Sequence, residues 1–157
     1  FPITMAIVAP ISGFSSDKFG PFILTTSGLA ISALGLYYYS TLRASAHIYQ
    51  IIPGSILLGL GVGLFNSPNN SSVMSSVPPH KLGIAGGINS LVRNLGMITG
   101  IAFSVSLFEA LGGVQSLHSG QISGFMSAYH TVMLVAMTIA LVAAGISINR
   151  KSYAKFV

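Results

Sequence analysis

The stretch GGINSLVRNLGMITG, residues 86–100, carries an arginine inside a long apolar run. The nearest charged residues on either side of Arg93 are Lys81 and Glu109. The intervening run is too long and too apolar for a typical surface helix, and a membrane span needs about 20 apolar residues. The stretch therefore predicts a membrane-spanning helix with a charge inside it.

The composition of the chain indicates that most of it is embedded in lipid. The 157 residues are 52% hydrophobic and only 6% charged, whereas soluble domains carry about 25% charged residues. In a soluble domain the formal net charge of +5 would suggest an anionic partner. In a membrane chain basic residues set the orientation instead, so we expect no nucleic-acid partner. There is no cysteine, so neither disulfides nor thiol-ligated metals are available. We expect membrane lipid to be the main partner of the surface.

Short polar breaks divide the chain into five apolar runs. The expected spans are residues 1–12 (truncated), 21–40, 48–77, 84–111 and 124–148, followed by a tail at 149–157. The first run is too short to cross a bilayer, and it begins FPITMAIVAPIS without an initiator Met or a basic segment. We interpret it as the end of a helix that starts earlier. The prediction is an all-α, polytopic membrane fragment with four whole spans and one partial span.

The basic residues predict the orientation of these spans. One side of the membrane receives six basic residues or histidines: Lys18, His80, Lys81, Arg150, Lys151 and Lys155. The opposite side receives three: Arg43, His47 and His118. Cytoplasmic connections carry an excess of Lys and Arg, so the richer side and the tail at 149–157 are expected to be cytoplasmic.

The acidic residues and histidines predict no enzyme. Asp17 and Glu109 are expected at opposite faces of the membrane, so they cannot form a carboxylate pair. His130 lies alone early in the last span, the other histidines lie in connections, and no two have a metal-ligand spacing. Intramembrane catalysis needs an activated nucleophile, paired carboxylates or a metal cluster. We therefore expect no catalysis, no metal and no other cofactor.

Polar side chains concentrate on the third and fourth spans. Three amides of the third span are spaced by three and four residues and share one helix face: Asn66, Asn69 and Asn70. Buried without partners, each would cost several kcal/mol, so the amides are expected to meet other helices or a wet cavity. On the fourth span, Asn89 and Arg93 are four residues apart and share a face, whereas Asn94 lies off it.

The antiparallel arrangement of these two spans about the turn at 78–83 places Arg93 level with Pro68. Arg93 is about ten residues into its span, or roughly 15 Å, near the middle of a hydrocarbon layer about 30 Å thick. A charge there costs at least about 2.5 kcal/mol and usually faces a pathway or a partner. Two interpretations stay open: Arg93 faces a functional pathway, or it is a structural clamp. Pro68 is likewise either a helix bend that lines a cavity or a harmless kink.

The stretch GFSSDKFG, residues 13–20, resembles the loop motif of the major facilitator superfamily. That motif reads Gly, three residues, Asp, a basic residue, one residue, Gly, and then basic residues. Four positions match it: Gly13, Asp17, Lys18 and Gly20. Pro21 and Phe22 stand where the motif continues with basic residues. The resemblance implies that the matching residues form a cytoplasmic gating loop.

Three further stretches together resemble the last spans of the fourteen-helix drug:proton antiporter branch of that superfamily. They are GLGVGLFNSPNN at 59–70, VPPHKLGIAGG at 77–87 and VRNLGMITG at 92–100. The resemblance implies the last five helices of the C-terminal half of a major facilitator fold. Such transporters bind substrate between two halves and alternate access by rocking them. Six residues then become candidates for the substrate and proton pathway: Asn66, Asn69, Asn70, Asn89, Arg93 and Asn94.

The function implied by this resemblance is secondary active transport in the cell membrane, with efflux of hydrophobic or cationic drugs driven by proton entry. The implied partners are a small-molecule substrate, protons and the N-terminal half of the same transporter. Arg93 would repel a cationic drug, so we expect it to order the amides or to couple to a carboxylate in the other half. Two alternatives remain, namely a metabolite uniporter or symporter of the same fold and a non-transporting scaffold fragment.

Overall fold

The computed structural model describes residues 1–153, and within that range every side chain except those of residues 17 and 149–153. Six α-helices occur in this part of the chain, and it contains no strand. They are α1 (Pro2–Phe19), α2 (Pro21–Ser40), α3 (Ile48–Ser75), α4 (Leu82–Ala110), α5 (Gly113–His118) and α6 (Ile122–Tyr153). Four of the described helices are long and apolar enough to cross a membrane. The prediction of an all-α, polytopic membrane fold is confirmed.

The first helix extends further than its apolar run. It continues to Phe19, so Gly13, Asp17 and Lys18, which we expected in a loop, lie in its last two turns. No residue between 13 and 19 breaks a helix, whereas Gly20 adopts φ 81° and ends it. Pro21 then occupies the first position of α2, where its missing N–H costs nothing. The motif is therefore a helix end followed by a one-residue corner.

Other boundaries also differ from the expected spans. The third helix ends at Ser75, and a single 3₁₀ turn, Pro79–Lys81, leads into α4. The connection expected after the fourth span contains the short helix α5, which lies between two glycines of positive φ, Gly112 and Gly120. The last helix continues to Tyr153 and so includes the first part of the expected tail. Residues 154–157 of that tail lie outside the described residues.

The bundle has two ends, which we name by their residues. The basic end contains the corner at Gly20 and the connection at 76–81, with Lys18 and Lys81. The distal end contains the connection at 41–47 and helix α5. Side-chain hydrogen bonds join α2 and α6 near both ends: Thr26 and Ser147 bond through their hydroxyls at 2.8 Å, and His130 bonds the carbonyl that follows α2.

Close backbone contacts place α3 between α1 and α2. An added Cβ at Gly28 of α2 would lie 2.6 Å from the carbonyl oxygen of Gly61, so only glycine allows this approach. On another face of α3, added Cβ atoms at Gly59 and Gly63 would lie 2.7 and 3.0 Å from side chains of α1. Small residues that let helices approach closely are typical of membrane interfaces. Together with α6, which packs on α2, these helices form one packed block.

Helix α4 is the exception to this packing. None of its residues is buried, and its contacts with α3 and α6 are far less extensive than those between α2 and α3. Added Cβ atoms at Gly96 and Gly100 would meet nothing within 4 Å in the described part of the chain. Large apolar side chains such as Leu91 and Leu95 are more than half exposed. Most of the surface of α4 is therefore not covered by the other described helices.

Candidate functional site

The polar contact between α3 and α4 is centred on one side-chain oxygen. Asn70 Oδ1 accepts a hydrogen bond from Asn89 Nδ2 at 2.7 Å and another from an Arg93 terminal guanidinium nitrogen at 2.7 Å. The two donors lie one turn apart on α4, so both can point to the same acceptor. Asn70 therefore links the side-chain amide of Asn89 to the guanidinium of Arg93.

Helix geometry explains why the guanidinium lies closer to the basic end than we expected. Side chains lean toward the N-terminus of their helix, and α4 begins at the basic end. Arg93 follows Leu82 by eleven residues, so its backbone lies about 17 Å along α4. Asn70 precedes the last residue of α3, Ser75, by five residues, or about 8 Å. The guanidinium therefore reaches back from the middle of the span toward the basic end.

The predicted register of α3 and α4 agrees with these bonds. An antiparallel pair that sets Arg93 level with Pro68 also sets Asn70 level with residue 91. Asn70 in fact bonds residues on either side of that level, Asn89 and Arg93. The register could be predicted because one short turn connects the two helices. The position of the guanidinium could not, because it depends on the length and direction of the arginine side chain.

The other predicted pathway residues do not join this cluster. Asn66 and Asn69 are half-buried, and Asn94 is exposed. None of the three makes a side-chain hydrogen bond with the described residues. Of the six candidates, the structure thus brings together Asn70, Asn89 and Arg93. Asn66 and Asn69 leave their amide groups available on the same helix as Asn70.

Pro68 lies inside an unbroken α3 and is fully buried. A proline in a helix removes the hydrogen bond to the carbonyl four residues earlier, which here belongs to Leu64. Ser12 of α1 is 0% exposed, and its hydroxyl donates to that carbonyl oxygen at 3.1 Å. The freed carbonyl is thus satisfied by a neighbouring helix rather than by water. The helix bend at Pro68 stays a prediction.

Sequence reasoning missed Ser12, although one signal pointed toward such a partner. The proline predicts an unsatisfied carbonyl at Leu64, and α1 contains small hydroxyl residues able to donate to such a group. A membrane interior supplies no water to satisfy that group. Which hydroxyl bonds the Leu64 carbonyl depends on how α1 packs against α3, since the bonded residues are 52 positions apart in sequence.

The residues of the predicted gating motif lie at the basic end beside the same region of α3. An added Cβ at Gly13 would lie 3.1 Å from Ser67 Oγ, which explains a small residue there. Lys18 is exposed. Gly20 occupies the N-cap position of α2 and makes no side-chain cap bond. The side chain of Asp17, which carries the chemistry of the motif, lies outside the described side chains.

A second polar network lies at the distal end. His130 Nε2 hydrogen-bonds the carbonyl oxygen of Leu42 at 2.8 Å. The hydroxyl of Tyr39 bonds Ser55 Oγ at 2.7 Å, and that of Tyr38 donates to a carbonyl of α3 at 2.9 Å. A cavity of about 550 Å³ opens beside the connection at 41–47. His130, which the sequence suggested was alone in its helix, is therefore a link between α6 and the end of α2.

The described cluster at Asn70 contains no carboxylate, imidazole or thiol. Glu109 lies sixteen residues beyond Arg93 on the same helix, or about 24 Å away. No three His, Cys, Asp or Glu side chains in the described part of the chain could hold a metal ion together. The described cluster consists of amides and one permanent positive charge, which favours ligands rich in hydrogen-bond acceptors.

Comparison with known proteins agrees with the membrane architecture. The family model described as Major Facilitator Superfamily matches residues 1–152. "Riboflavin transporter RibZ" of Clostridioides difficile is 38% identical over 107 residues, which are 68% of this chain and 24% of that protein. "Uncharacterized transporter YebQ" of Escherichia coli is 30% identical over 147 residues, or 94% of this chain and 29% of that protein.

A third relative carries a different description. "Multidrug efflux pump LfrA" of Mycolicibacterium smegmatis is 29% identical over 109 residues, which are 67% of this chain and 22% of that protein. The chain thus spans about a quarter of the length of these curated relatives. No solved structure matches the chain.

Proposed function

The chain belongs to the Major Facilitator Superfamily, and from this premise we propose that it is part of a secondary active transporter that exports hydrophobic or cationic compounds in exchange for protons. The observation that carries the transport part of this proposal is the contact of Asn70 with Asn89 and Arg93 between two membrane-spanning helices. Charged residues inside spans are costly and commonly line substrate or ion pathways. The relative named as a multidrug efflux pump supports this choice of substrate.

In this proposal, the uncovered surface of α4 faces the N-terminal half of the same transporter. The block of α1, α2, α3 and α6 then acts as one rigid part of the C-terminal half, and the substrate passes beside α3 and α4. Transporters of this architecture alternate access largely by rocking one half against the other. The absence of any buried residue on α4 supports a surface that is covered in the assembled protein.

The proposal places the basic end in the cytoplasm of a cell membrane. Lys18 and Lys81 lie at that end, and cytoplasmic connections carry the excess of basic residues. The motif residues Gly13, Asp17 and Gly20 then lie where the two halves meet the cytoplasm. In this role the motif holds the cytoplasmic entrance, and Pro68 lies nearby in α3, at the level where a bend would move the end of the helix.

A second candidate function is transport of a metabolite by the same fold. Two observations favour it: the described cluster carries a positive charge, which repels lipophilic cations, and a relative with 38% identity is named a riboflavin transporter. A neutral, acceptor-rich molecule would suit Asn66, Asn69 and Arg93 better than a cation would. The two candidates differ in substrate and share the architecture.

Proton flux in inverted vesicles that contain the complete transporter tests the proposal. Addition of ethidium should collapse an imposed pH gradient if the protein exchanges cations for protons, and the collapse should disappear in Arg93→Ala. Arg43→Ala is a matched control, because it removes an arginine from the exposed connection at 41–47, outside the candidate pathway. Arg93→Lys should also lose activity, since a point charge does not replace the guanidinium fork.

The outcomes separate the candidates. A response to riboflavin with no response to ethidium would favour metabolite transport. A well-expressed protein that responds to neither compound would contradict both and favour a scaffold. A fully active Arg93→Lys would show that the geometry of the guanidinium is not needed.

A further inference from the structure

The guanidinium of Arg93 has more donors than the described residues use. An arginine carries five N–H groups and no acceptor. Only one hydrogen bond to it occurs in the described part of the chain, the 2.7 Å bond to Asn70. Asn70 Oδ1 also accepts from Asn89, so both lone pairs of that oxygen are occupied. The amide pair thus holds one corner of the guanidinium in place and leaves the rest of the fork free.

The position of this charge makes a single amide partner insufficient. One hydrogen bond to a charged group offsets only part of the cost of placing an arginine within a span. The remaining N–H groups still need acceptors when α4 is covered. An unpaired charge that loses its water costs far more than a paired one, so the assembled protein requires a further acceptor here.

The described residues do not supply that acceptor. Glu109 is about 24 Å away along α4. Asp17 belongs to α1, which does not pack against α4, and Arg93 makes no further bond among the described residues. The amide oxygens of Asn66 and Asn69 make no bond with Arg93. The acceptor must therefore come from outside the described chain.

We propose that Arg93, held by Asn70 and Asn89, forms a carboxylate-binding site between α4 and whatever covers it. A planar guanidinium with two or more free N–H groups binds a carboxylate bidentately, and this pairing is the strongest that its geometry allows. The carboxylate has two possible sources, a substrate and an acidic side chain elsewhere in the transporter. The inference rests on the proposed function only in requiring that α4 be covered in a complete transporter.

Two measurements on the purified complete transporter distinguish the sources. The first is thermal stability with benzoate, benzamide and benzamidine, three probes of similar shape that are anionic, neutral and cationic. If the site is open to substrate, benzoate alone should raise the Tm by about 2 °C or more at saturating concentration. The rise should disappear in Arg93→Gln and persist in Arg43→Gln, a matched variant in the exposed connection at 41–47.

The second measurement is labelling with dicyclohexylcarbodiimide, which reacts with carboxyl groups in apolar surroundings. If an acidic side chain of the transporter occupies the site, Arg93→Gln leaves that group without its counter-charge, and it protonates. Mass spectrometry should then find one additional labelled carboxyl in Arg93→Gln relative to the wild type and to Arg43→Gln. Benzoate should have no effect in this case, since the site is already filled.

Either positive result supports a carboxylate partner and identifies its source. The proposal is overturned if benzoate gives no Arg93-dependent shift and Arg93→Gln gains no labelled carboxyl. Asn70→Leu provides a second variant in case Arg93→Gln does not fold, because it frees the guanidinium from its fixed position while keeping the charge. It should weaken the benzoate shift if the site is open to substrate, and it should raise carboxyl labelling less than Arg93→Gln does if an acidic side chain fills the site. Neither readout requires transport, so a failure of the vesicle assay would leave this test intact.

Discussion

Replacing Ser12 by alanine should reveal how α1 compensates for the proline in α3. The serine is completely buried, and its hydroxyl donates to the Leu64 carbonyl oxygen that Pro68 cannot serve. Alanine fills nearly the same volume but has no donor. The substitution would therefore leave a buried carbonyl without its partner while changing the packing very little.

The magnitude follows from the state of that carbonyl. A buried group that loses its partner costs about 1–3 kcal/mol, so we expect Ser12→Ala to lower the free energy of unfolding by about 2 kcal/mol. In a Pro68→Ala background, the new backbone N–H at position 68 can bond Leu64 itself. Ser12→Ala should then cost about 0.5 kcal/mol or less. The two substitutions should show a coupling energy of about 1.5 kcal/mol, within the range for residues that share a partner.

Unfolding by sodium dodecyl sulfate in mixed micelles measures the four free energies of this cycle. Ser27→Ala is a suitable control, because that hydroxyl bonds a carbonyl of its own helix and no proline depends on it. We expect an effect of about 0.5 kcal/mol or less from the control. Equal costs of Ser12→Ala with and without Pro68 would refute the reasoning, since the hydroxyl would then not be replacing the missing backbone bond.

Three other predictions use the same kinds of contact. Gly28→Ala should lower the free energy of unfolding by about 1–3 kcal/mol, because its Cβ would meet backbone atoms. Gly145→Ala should be neutral or stabilising, because an added Cβ there meets nothing within 4 Å among the described residues. Equal stability of the two variants would contradict the close approach of α2 and α3. His130→Ala should lower the free energy of unfolding by about 1 kcal/mol, because it removes the bond to the α2–α3 connection. His118→Ala should lower it by less in the same assay, because the bond of His118 stays within its own helix. Asp17→Ala should reduce vesicle transport more than surface expression, and an equal loss of both would indicate a purely structural role.

The sequence was sufficient to predict four long apolar helices, because these depend on local composition. An apolar run of about 20 residues has one stable state in a bilayer, a helix, and this holds whatever the rest of the fold does. The register of α3 and α4 was also predictable, since a short turn fixes how two antiparallel helices align. Glycine spacing is a weaker guide to packing, because Gly59 and Gly63 lie against α1 whereas Gly96 and Gly100, at the same spacing, meet nothing within 4 Å in the described part of the chain.

Individual partners were not predictable, because they depend on side-chain reach and on contacts distant in sequence. The spacing of Asn66, Asn69 and Asn70 gave all three equal standing, and only the structure separates Asn70 from the others. The bond from His130 to the connection at 41–47 spans 88 residues. The extent of α1 was missed for a different reason. Its last turns are polar, and a hydropathy pattern indicates which residues contact lipid, not where a helix ends.

The shared oxygen of Asn70 also bears on how the protein is made. Asn70 precedes Asn89 and Arg93 in the chain, so during synthesis it enters the membrane before them. When α4 leaves the insertion machinery, the acceptor for its charge is already present in the preceding helix, only one short turn away. The pair can then enter the lipid as a hairpin whose costliest residue never faces hydrocarbon without a partner. We therefore expect α4 to insert more readily after α3 than on its own.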